Sequence, residues 1–329
     1  MPQGSIFGPF LFLVCINDLI TSLESGRMYA DDTNITFVSN NLIDLEGEMN
    51  KDLKNIATWL TANNLTLNIL KSEYMLISLR QRIATFEGNF KLECNGMSLS
   101  MVVKTECLRL QIDKHLTWDS HVKSITKKVV SALVMLKRIK RLVPYKNLIS
   151  VYKSTIEPYF DYCSTVWNSI GSELSSKLQR LQNRAARIIT GARSKEVLNG
   201  LGWQTLKQRR LEQTAIMMFK ISNKMTPNYL QEMFQRDFGS QAYDLRSSDR
   251  NYVLPKNRTD YYNKSFAFTG AKVWNSLPND LKQITSLETF KKRLKSIDLH
   301  NYVIFSLNSI DECHKFVNSL LICNFRKSM

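Results

Sequence analysis

Two adjacent carboxylates, Asp31 and Asp32, lie between two apolar, β-prone runs in the stretch GRMYADDTNITFV, Gly26 to Val38. Neighbouring carboxylates repel each other when both are ionised, and a bound cation relieves that repulsion. A hairpin turn does not need such a pair, because Asn-Gly or Asp-Gly forms one more cheaply. The stretch therefore predicts either an exposed acidic turn or a β-hairpin that presents two carboxylates to a metal ion.

A cluster of basic residues recurs at helical spacing further along the chain: Lys177, Arg180, Arg184 and Arg187. Steps of three and four residues place them on one helix face, beside an apolar stripe formed by Leu174, Leu178, Leu181, Ala185 and Ile188. The face is either ordinary solvated surface or a binding surface for phosphates. The whole chain carries 45 Lys and Arg against 29 Asp and Glu, a net charge of +16, which favours a polyanionic partner.

The cysteine and apolar patterns bear on the cellular compartment. Six cysteines occur without the close pairs of a disulfide framework or a structural zinc site, which predicts free thiols in a reducing compartment. The apolar run from Ile6 to Ile16 contains Gly8 and Pro9, is too short to span a bilayer, and lacks the preceding basic residues of a signal peptide. We expect a buried helix there, no membrane partner, and an intracellular protein, nuclear or cytoplasmic, that is not secreted.

The remaining pattern predicts a mixture of strands and helices. An amphipathic helix follows the acidic hairpin and ends at Asn63-Asn64, with one apolar face made of Leu42, Leu45, Met49, Leu53, Ile56 and Leu60. Residues 80 to 118 have the character of short strands, and helical periodicity dominates from Asp119 onward. The segment from 237 to 262 is polar and irregular, which predicts a linker or a long loop.

Four motifs follow one another along the chain: Pro2-Gln3-Gly4-Ser5, Tyr29-Ala30-Asp31-Asp32, Leu67 to Ser72, and Leu108 to Trp118. In this order and spacing they resemble the reverse transcriptase of non-LTR (LINE-type) retrotransposons. Two further segments, LQRLQNRAARIITGAR and AKVWNSLPNDLKQITSLETFKKRL, resemble the basic helices and the Trp-Asn-x-Leu-Pro segment that follow the polymerase in such elements. The resemblance covers roughly residues 2 to 298.

The resemblance implies an α+β fold with a partial right-hand polymerase palm, a β-hairpin with packed helices, followed by an α-helical thumb and a basic helical extension. The palm would occupy residues 1–118, the thumb and extension 119–236, the linker 237–262 and a helical segment 263–298, while 299–329 stays unassigned. Because the chain begins inside the first motif, we expect an amino-terminally truncated fragment. The fingers and the first palm strand, with its metal-binding aspartate, would lie upstream.

The resemblance also makes Asp31 and Asp32 catalytic metal ligands, because the Tyr-x-Asp-Asp hairpin of the family presents its carboxylates to metal ions. Nucleotide addition to a primer 3′-OH is an in-line phosphoryl transfer, and two Mg²⁺ ions about 4 Å apart can stabilise the attacking and leaving oxygens. Carboxylates are the hard ligands that Mg²⁺, or Mn²⁺, prefers. With these two carboxylates alone, we expect the chain to bind the metal weakly and to be inactive by itself.

Further residues acquire substrate roles from the resemblance. Gln3, Gly4 and Ser5 would form the loop against the template and the incoming nucleotide, although they would equally suit the start of the next helix. Tyr29 would lie near the primer end. Lys71 would approach the triphosphate and could protonate the leaving pyrophosphate, or it could be an ordinary solvated lysine. The implied partners are an RNA template, a DNA primer and deoxynucleoside triphosphates.

One position departs from the family pattern. The stretch RLQIDKHLTW corresponds to the hairpin that grips the primer, but Arg109 stands where the family usually has glycine. If the glycine permits close approach of the primer, Arg109 would either obstruct it or contact a phosphate instead.

Two other classes of function stay open at this point. The chain could be a non-catalytic nucleic-acid-binding relic that uses its basic helices, with the aspartates no longer active. It could also be a structural or interaction protein without a nucleic-acid role, although the net charge of +16 disfavours this class.

Overall fold

The computed structural model describes residues 6–23, 26–29, 32–39, 41–78, 90–192, 197–236, 251–254, 260–297, 299 and 319–328. The chain divides into two compact units. The first comprises Met1–Thr117 together with Phe316–Met329, and the second comprises Trp118–Lys315. Both strands and helices are present, so the mixed fold class is confirmed, whereas the assignment of palm, thumb and linker stays a prediction.

The strands of the first unit come from both ends of the chain. They are β1 (Gly26–Tyr29), β2 (Asp32–Ser39), β3 (Thr66–Leu67), β4 (Glu73–Ile77), β5 (Glu93–Cys94), β6 (Met97–Ser98), β7 (Ser100–Met101), β8 (Lys104–Cys107), β9 (Leu110–Asp113) and β10 (Ser319–Ser328). The main sheet has the order β1-β2-β10-β4-β7, and β3 pairs with the end of β10. Its pairs are antiparallel except β4 with β7. The strands β5 and β6 form one separate hairpin, and β8 and β9 form another.

Helix α2 (Leu42–Ala62) covers one face of this sheet. It begins at Asn41, whose side-chain oxygen accepts a hydrogen bond from the Ile43 amide at 3.1 Å, as an N-cap does. Its apolar face is buried as the sequence predicts, through Leu45, Met49, Leu53, Ile56 and Leu60. These side chains pack with Ile35 and Phe37 of β2 and with Tyr74 and Leu76 of β4 in one core.

Helix α1 (Gly8–Ile16) differs from the sequence prediction of a buried helix. Among its residues only Ile16 is buried, and Phe10 and Val14 are 64% and 60% exposed. Apolar residues occur all around this helix, so a single contact face cannot cover them. The short helical turn that follows, Asn17–Ser22, contributes Leu19 to the core instead.

The hairpin of β8 and β9 contains two residues in an unusual backbone conformation. Cys107 pairs with Leu110, so Leu108 and Arg109 form a two-residue turn, and their φ angles are +47° and +68°. A two-residue type I′ turn requires positive φ at both central positions, which glycine and asparagine adopt most easily. The glycine that the family usually has at this point therefore matches the backbone that Arg109 adopts here.

We expect Arg109→Gly to raise the free energy of unfolding of the first unit by about 0.5–1 kcal/mol, because glycine relieves the left-handed strain but costs some backbone entropy. Chemical denaturation followed by circular dichroism measures the change. Arg109→Ala is the matched control, since it removes the exposed Arg109–Glu106 ion pair at 3.8 Å but keeps the strained Cβ. A glycine variant no more stable than the alanine variant would contradict the expectation.

Helices dominate the second unit. They are α3 (Asp119–Ile139), α4 (Tyr145–Thr155), α5 (Glu157–Asp161), α6 (Ser172–Thr190), α7 (Val197–Gly200), α8 (Leu206–Ser222), α9 (Asn228–Glu232), α10 (Asp260–Asn263), α11 (Phe266–Ser276), α12 (Asn279–Lys282) and α13 (Leu287–Lys295). Helix α3 agrees with the helical periodicity predicted from Asp119 onward, because it buries Val122, Ile125, Val129, Leu133 and Leu136 at steps of three and four residues. Helix α3 packs against α6, and α8 packs against α11 and α13.

An ion-pair network joins α8 to α5. The Arg209 guanidinium contacts a Glu157 carboxylate oxygen at 2.8 Å, and its Nε donates to Asp161 Oδ1 at 3.2 Å. The three side chains are only 19–26% exposed. Burial by itself would lower the pKa of Arg209, but the hydrogen bond and the charge of Asp161, with Glu157, raise it. Burial raises the pKa of Glu157, and Arg209 opposes that rise.

The Trp-Asn-x-Leu-Pro segment has a structural role in this unit. Trp274 is buried in the core, and the Asn275 side chain binds both backbone groups of Tyr252, accepting from its amide at 2.9 Å and donating to its carbonyl at 2.7 Å. Tyr252 is 4% exposed and pairs with Arg236 as an isolated β-bridge. Residues 251–254, which the sequence assigns to a linker or loop, are thus fixed to the core. Of the rest of the predicted linker, 237–250 and 255–259 lie outside the described residues, and 260–262 belong to α10.

Candidate nucleic-acid and metal site

The acidic hairpin forms as the sequence predicts. Strands β1 and β2 are antiparallel, with Gly26 opposite Ile35 and Tyr29 opposite Asp32. The two residues that connect them, Ala30 and Asp31, lie outside the described residues. Asp32 is therefore placed at the first position of β2, beside the turn, and Tyr29 is 67% exposed at the last position of β1.

Alternation along β2 determines which residues face the core. Thr33, Ile35 and Phe37 are buried, whereas Asp32 belongs to the opposite, half-buried set. The hairpin is anchored at Gly26, where a Cβ would lie only 2.7 Å from Leu23 Cδ1. Close packing of β1 against the preceding turn and burial of β2 against α2 together hold the Asp32 end of the hairpin in place.

Lys71 ends a short 3₁₀ turn, Ile69–Lys71, that follows β3. Asn68 caps this turn, because its side-chain oxygen accepts from the Lys71 amide at 3.2 Å and its carbonyl accepts from the Ser72 hydroxyl at 2.9 Å. The Lys71 residue is exposed. Its backbone is fixed, and its amine is accessible to a ligand in solution.

Strand β10 relates Asp32 to the Lys71 turn. Asp32 pairs with Arg326 on one edge of β10, and Leu67 pairs with Lys327 on the other edge. Because neighbouring strands lie 4.7–4.9 Å apart, the backbones of Asp32 and Leu67 are separated by about 10 Å. The structure thus brings Tyr29, Asp32 and the segment before Lys71 to one end of the sheet.

The donor set for a divalent cation is small in the part of the chain that the structure describes. No group of three or more His, Cys, Asp or Glu residues there could hold a metal ion. Asp32 contributes a carboxylate, a hard oxygen ligand of the type that Mg²⁺ binds, and Asp31 is its sequence neighbour. The pair fits a divalent cation in chemistry but supplies few ligands. The other predicted substrate residues, Gln3, Gly4 and Ser5, lie outside the described residues.

The four predicted basic residues share one side of α6. The buried side consists of Leu178, Gln182, Ala185, Ala186 and Ile189, so it is rotated slightly from the predicted apolar stripe. At 100° per residue, Lys177, Arg180, Arg184 and Arg187 fall on the opposite side, where Lys177 is half-buried and the three arginines are exposed. Among the described residues none of the four forms an ion pair. No Asp or Glu occurs from Leu174 to Lys195.

The end of α3 adds basic residues to the four that the sequence predicts. Lys140 Nζ lies 3.3 Å from the position that a Cβ on Gly191 would take, so the carboxyl-terminal ends of α3 and α6 are adjacent. Lys137, Arg138 and Arg141 are exposed at the same end of α3. One sequence signal could have indicated them, because no Asp or Glu occurs from residue 120 to 156.

Comparison with known proteins gives one matching family. Residues 1–126 match the family model described as "Reverse transcriptase (RNA-dependent DNA polymerase)". The "Probable RNA-directed DNA polymerase from transposon BS" of Drosophila melanogaster is 26% identical over 202 residues, which cover 58% of this chain and 22% of that protein. The "Retrovirus-related Pol polyprotein from type-1 retrotransposable element R1" of Nasonia vitripennis is 23% identical over 180 residues, which cover 50% of this chain and 52% of that protein.

These matches confirm the resemblance to the reverse transcriptases of non-LTR retrotransposons that the motifs indicate. The chain also matches the "Probable RNA-directed DNA polymerase from transposon X-element" of Drosophila melanogaster at 24% identity, and this match covers 22% of that protein. The chain therefore spans about a fifth of the length of such relatives. No solved structure matches the chain. Among the described helices, none is both long and apolar enough to cross a membrane.

Proposed function

Because residues 1–126 match the reverse transcriptase family, we propose that this chain is the part of a non-LTR retrotransposon RNA-directed DNA polymerase that carries the acidic hairpin and the helices after it. One observation carries the proposal: Asp32 opens β2 directly beside the turn of a hairpin that lies inside the matched residues. In this proposal the first unit is part of a palm. Residues 119–236 are a thumb with a basic extension.

Asp31 and Asp32 would hold the divalent cation, Mg²⁺ or Mn²⁺. When bound, the ions supply electrostatic stabilisation of the attacking and leaving oxygens in nucleotidyl transfer. The chain's own residues position the reactants. Tyr29 is exposed one position before the turn and would contact the primer end, and Lys71, fixed by the Asn68 cap, would contact the triphosphate.

The basic side of α6 would bind the phosphates of the RNA template and DNA primer. Three exposed arginines without ion-pair partners among the described residues present donors that bind phosphate oxygens in a bidentate manner. The adjacent end of α3, with Arg138 and Arg141, extends the same positive surface. Such a surface binds the backbone of a duplex without reading its sequence.

We expect the chain to bind a primer–template hybrid but not to extend it. Two neighbouring carboxylates cannot supply enough ligands to bind and orient two divalent ions, and the described residues add no third carboxylate to them. The test combines fluorescence anisotropy on a labelled RNA–DNA hybrid with primer extension in Mg²⁺ and in Mn²⁺.

The two assays test nucleic-acid binding and catalysis separately. Binding without extension is the expected result. Absence of hybrid binding at low salt would overturn the proposed function. Extension that disappears in Asp31→Ala would support the catalytic role of the pair and contradict the expected inactivity of this chain.

A further inference from the structure

Strand β10 fills the space between β2 and β4, which do not pair with each other. On one edge it pairs with β2 from Ser319 opposite Ser39 to Arg326 opposite Asp32. On the other edge it pairs with β4 from Leu320 opposite Ile77 to Asn324 opposite Glu73. Both ladders are antiparallel, so the segment is hydrogen-bonded along both of its edges.

This central strand reaches the sheet from the far end of the chain. The first unit consists of Met1–Thr117 and Phe316–Met329, and all of the second unit separates these two segments. Without β10, β2 and β4 would each present an edge of unpaired amide and carbonyl groups, which is the template that an added strand recognises. The space between β2 and β4, here called the strand slot, therefore has the properties of a binding site for an extended peptide.

The register selects which peptide residues align with the core. Leu321 aligns with the buried residues Phe37 and Leu76, and Cys323 aligns with Ile35 and Tyr74. Of the alternate positions, Asn324 aligns with the half-buried residues Asn34 and Glu73, whereas Ile322 aligns with half-buried Thr36 on β2 and with buried Met75 on β4. Because side chains alternate along a strand, a slip by one residue would exchange the two sets.

We propose that the strand slot is a peptide-binding site whose occupant is the chain's own segment 319–328, and that its occupation fixes β2, the strand that begins with Asp32. The link to the site lies in the register, because the ladder with β2 ends at the pair of Arg326 and Asp32. The occupied slot thus fixes the first residue of β2. This inference goes beyond the proposed function and does not depend on it.

The experiment begins with the full chain. A cleavage site for a specific protease is inserted between residues 308 and 309, and the folded protein is cut and passed over a size-exclusion column. The fragment that contains residues 319–328 is expected to remain bound. A labelled synthetic peptide of residues 316–329 then exchanges with it, which gives an affinity for a protein that has folded with segment 319–328 still attached.

Two matched peptides test the register. A peptide with Cys323→Lys places a charge in line with Ile35 and Tyr74 and should compete at least tenfold more weakly than the natural sequence. A peptide with Asn324→Lys places the same charge in line with Asn34 and Glu73 and should compete about as well as the natural sequence. Amide exchange in Thr36–Val38, which pair with β10 beyond the end of the ladder with β1, should be fast when the slot is empty, whereas that of α3 should not change.

Three outcomes would overturn the proposal. Release of the cut fragment under native conditions would show that the slot does not hold it. Equal competition by the two peptides would show that the register is not specific. A particle of doubled mass before cleavage, with the segment exchanged between chains, would assign the slot to a second copy instead.

Discussion

Replacing Arg180, Arg184 and Arg187 together by Gln is expected to flatten the salt dependence of hybrid binding by about two to three units of slope. Each arginine that contacts a phosphate releases a condensed counterion, so log affinity falls with log salt by about 0.9 for every phosphate neutralised on a B-form duplex. The three side chains are exposed on one side of α6, and no ion pair with a described residue occupies them. The variant should therefore bind all sequences more weakly and by a similar factor.

Fluorescence anisotropy on a labelled RNA–DNA hybrid, repeated across a salt series, measures the slope. A matched control carries the same loss of charge on α13, through Lys291→Gln, Lys292→Gln and Lys295→Gln, where all three lysines are exposed. The control should keep the slope of the unmodified chain. An unchanged slope in the arginine variant, with its helicity intact by circular dichroism, would reject the basic side of α6 as the binding surface.

Replacing Arg209 by Met is expected to lower the free energy of unfolding of the second unit by about 3 kcal/mol at neutral pH. The substitution leaves Glu157 and Asp161 partly buried without the guanidinium that pairs with both of them. Removing one partner of a buried ion pair costs more than the pair itself contributes, because the remaining charges stay desolvated. Arg209→Lys is the matched control and should recover only part of the loss, since an ammonium cannot bind two carboxylates as a planar fork does.

The pH dependence of this loss has a definite sign. Burial already raises the pKa of Glu157 in the folded protein, and removing Arg209 removes a group that opposes the rise. A carboxyl whose folded pKa lies above its unfolded value stabilises the fold at low pH and loses that contribution as pH rises through the folded pKa. The difference in free energy of unfolding between the unmodified chain and Arg209→Met should therefore be larger at pH 7.5 than at pH 4.5. Urea denaturation at both pH values measures it, and an equal difference at the two would contradict the account.

The sequence predicts those elements whose signal is local. The period of α2 identifies its buried face, and steps of three and four residues identify the exposed arginines of α6, because a helix places such residues on one side. The acidic hairpin is predicted by two β-prone arms around Asp31 and Asp32. The position of this hairpin in the sheet is not predicted, because it depends on strands elsewhere in the chain.

The features that the sequence does not predict depend on the folded structure as a whole. Strand β10 pairs with residues about 280 positions away, and no local pattern in Ser319–Ser328 indicates such a partner. The apolar run of α1 predicts a buried helix. Its apolar residues lie on every side of the helix, however, and most of them are exposed in the part of the chain that the structure describes. The positive surface at the end of α3 depends on the tertiary contact between Lys140 and Gly191, which helix periodicity does not encode.

Mapping the metal on the bound complex tests the central claim most directly, because it does not require catalytic turnover. Fe²⁺ with ascorbate cleaves a protein backbone next to the site that the ion occupies. With a hybrid bound, the account predicts cleavage confined to residues 29–33, suppressed by excess Mg²⁺ and absent when Asp31 and Asp32 are both replaced by Asn. Cleavage at another place, or cleavage that persists unchanged in the double variant, would contradict the assignment of the acidic hairpin as the metal site.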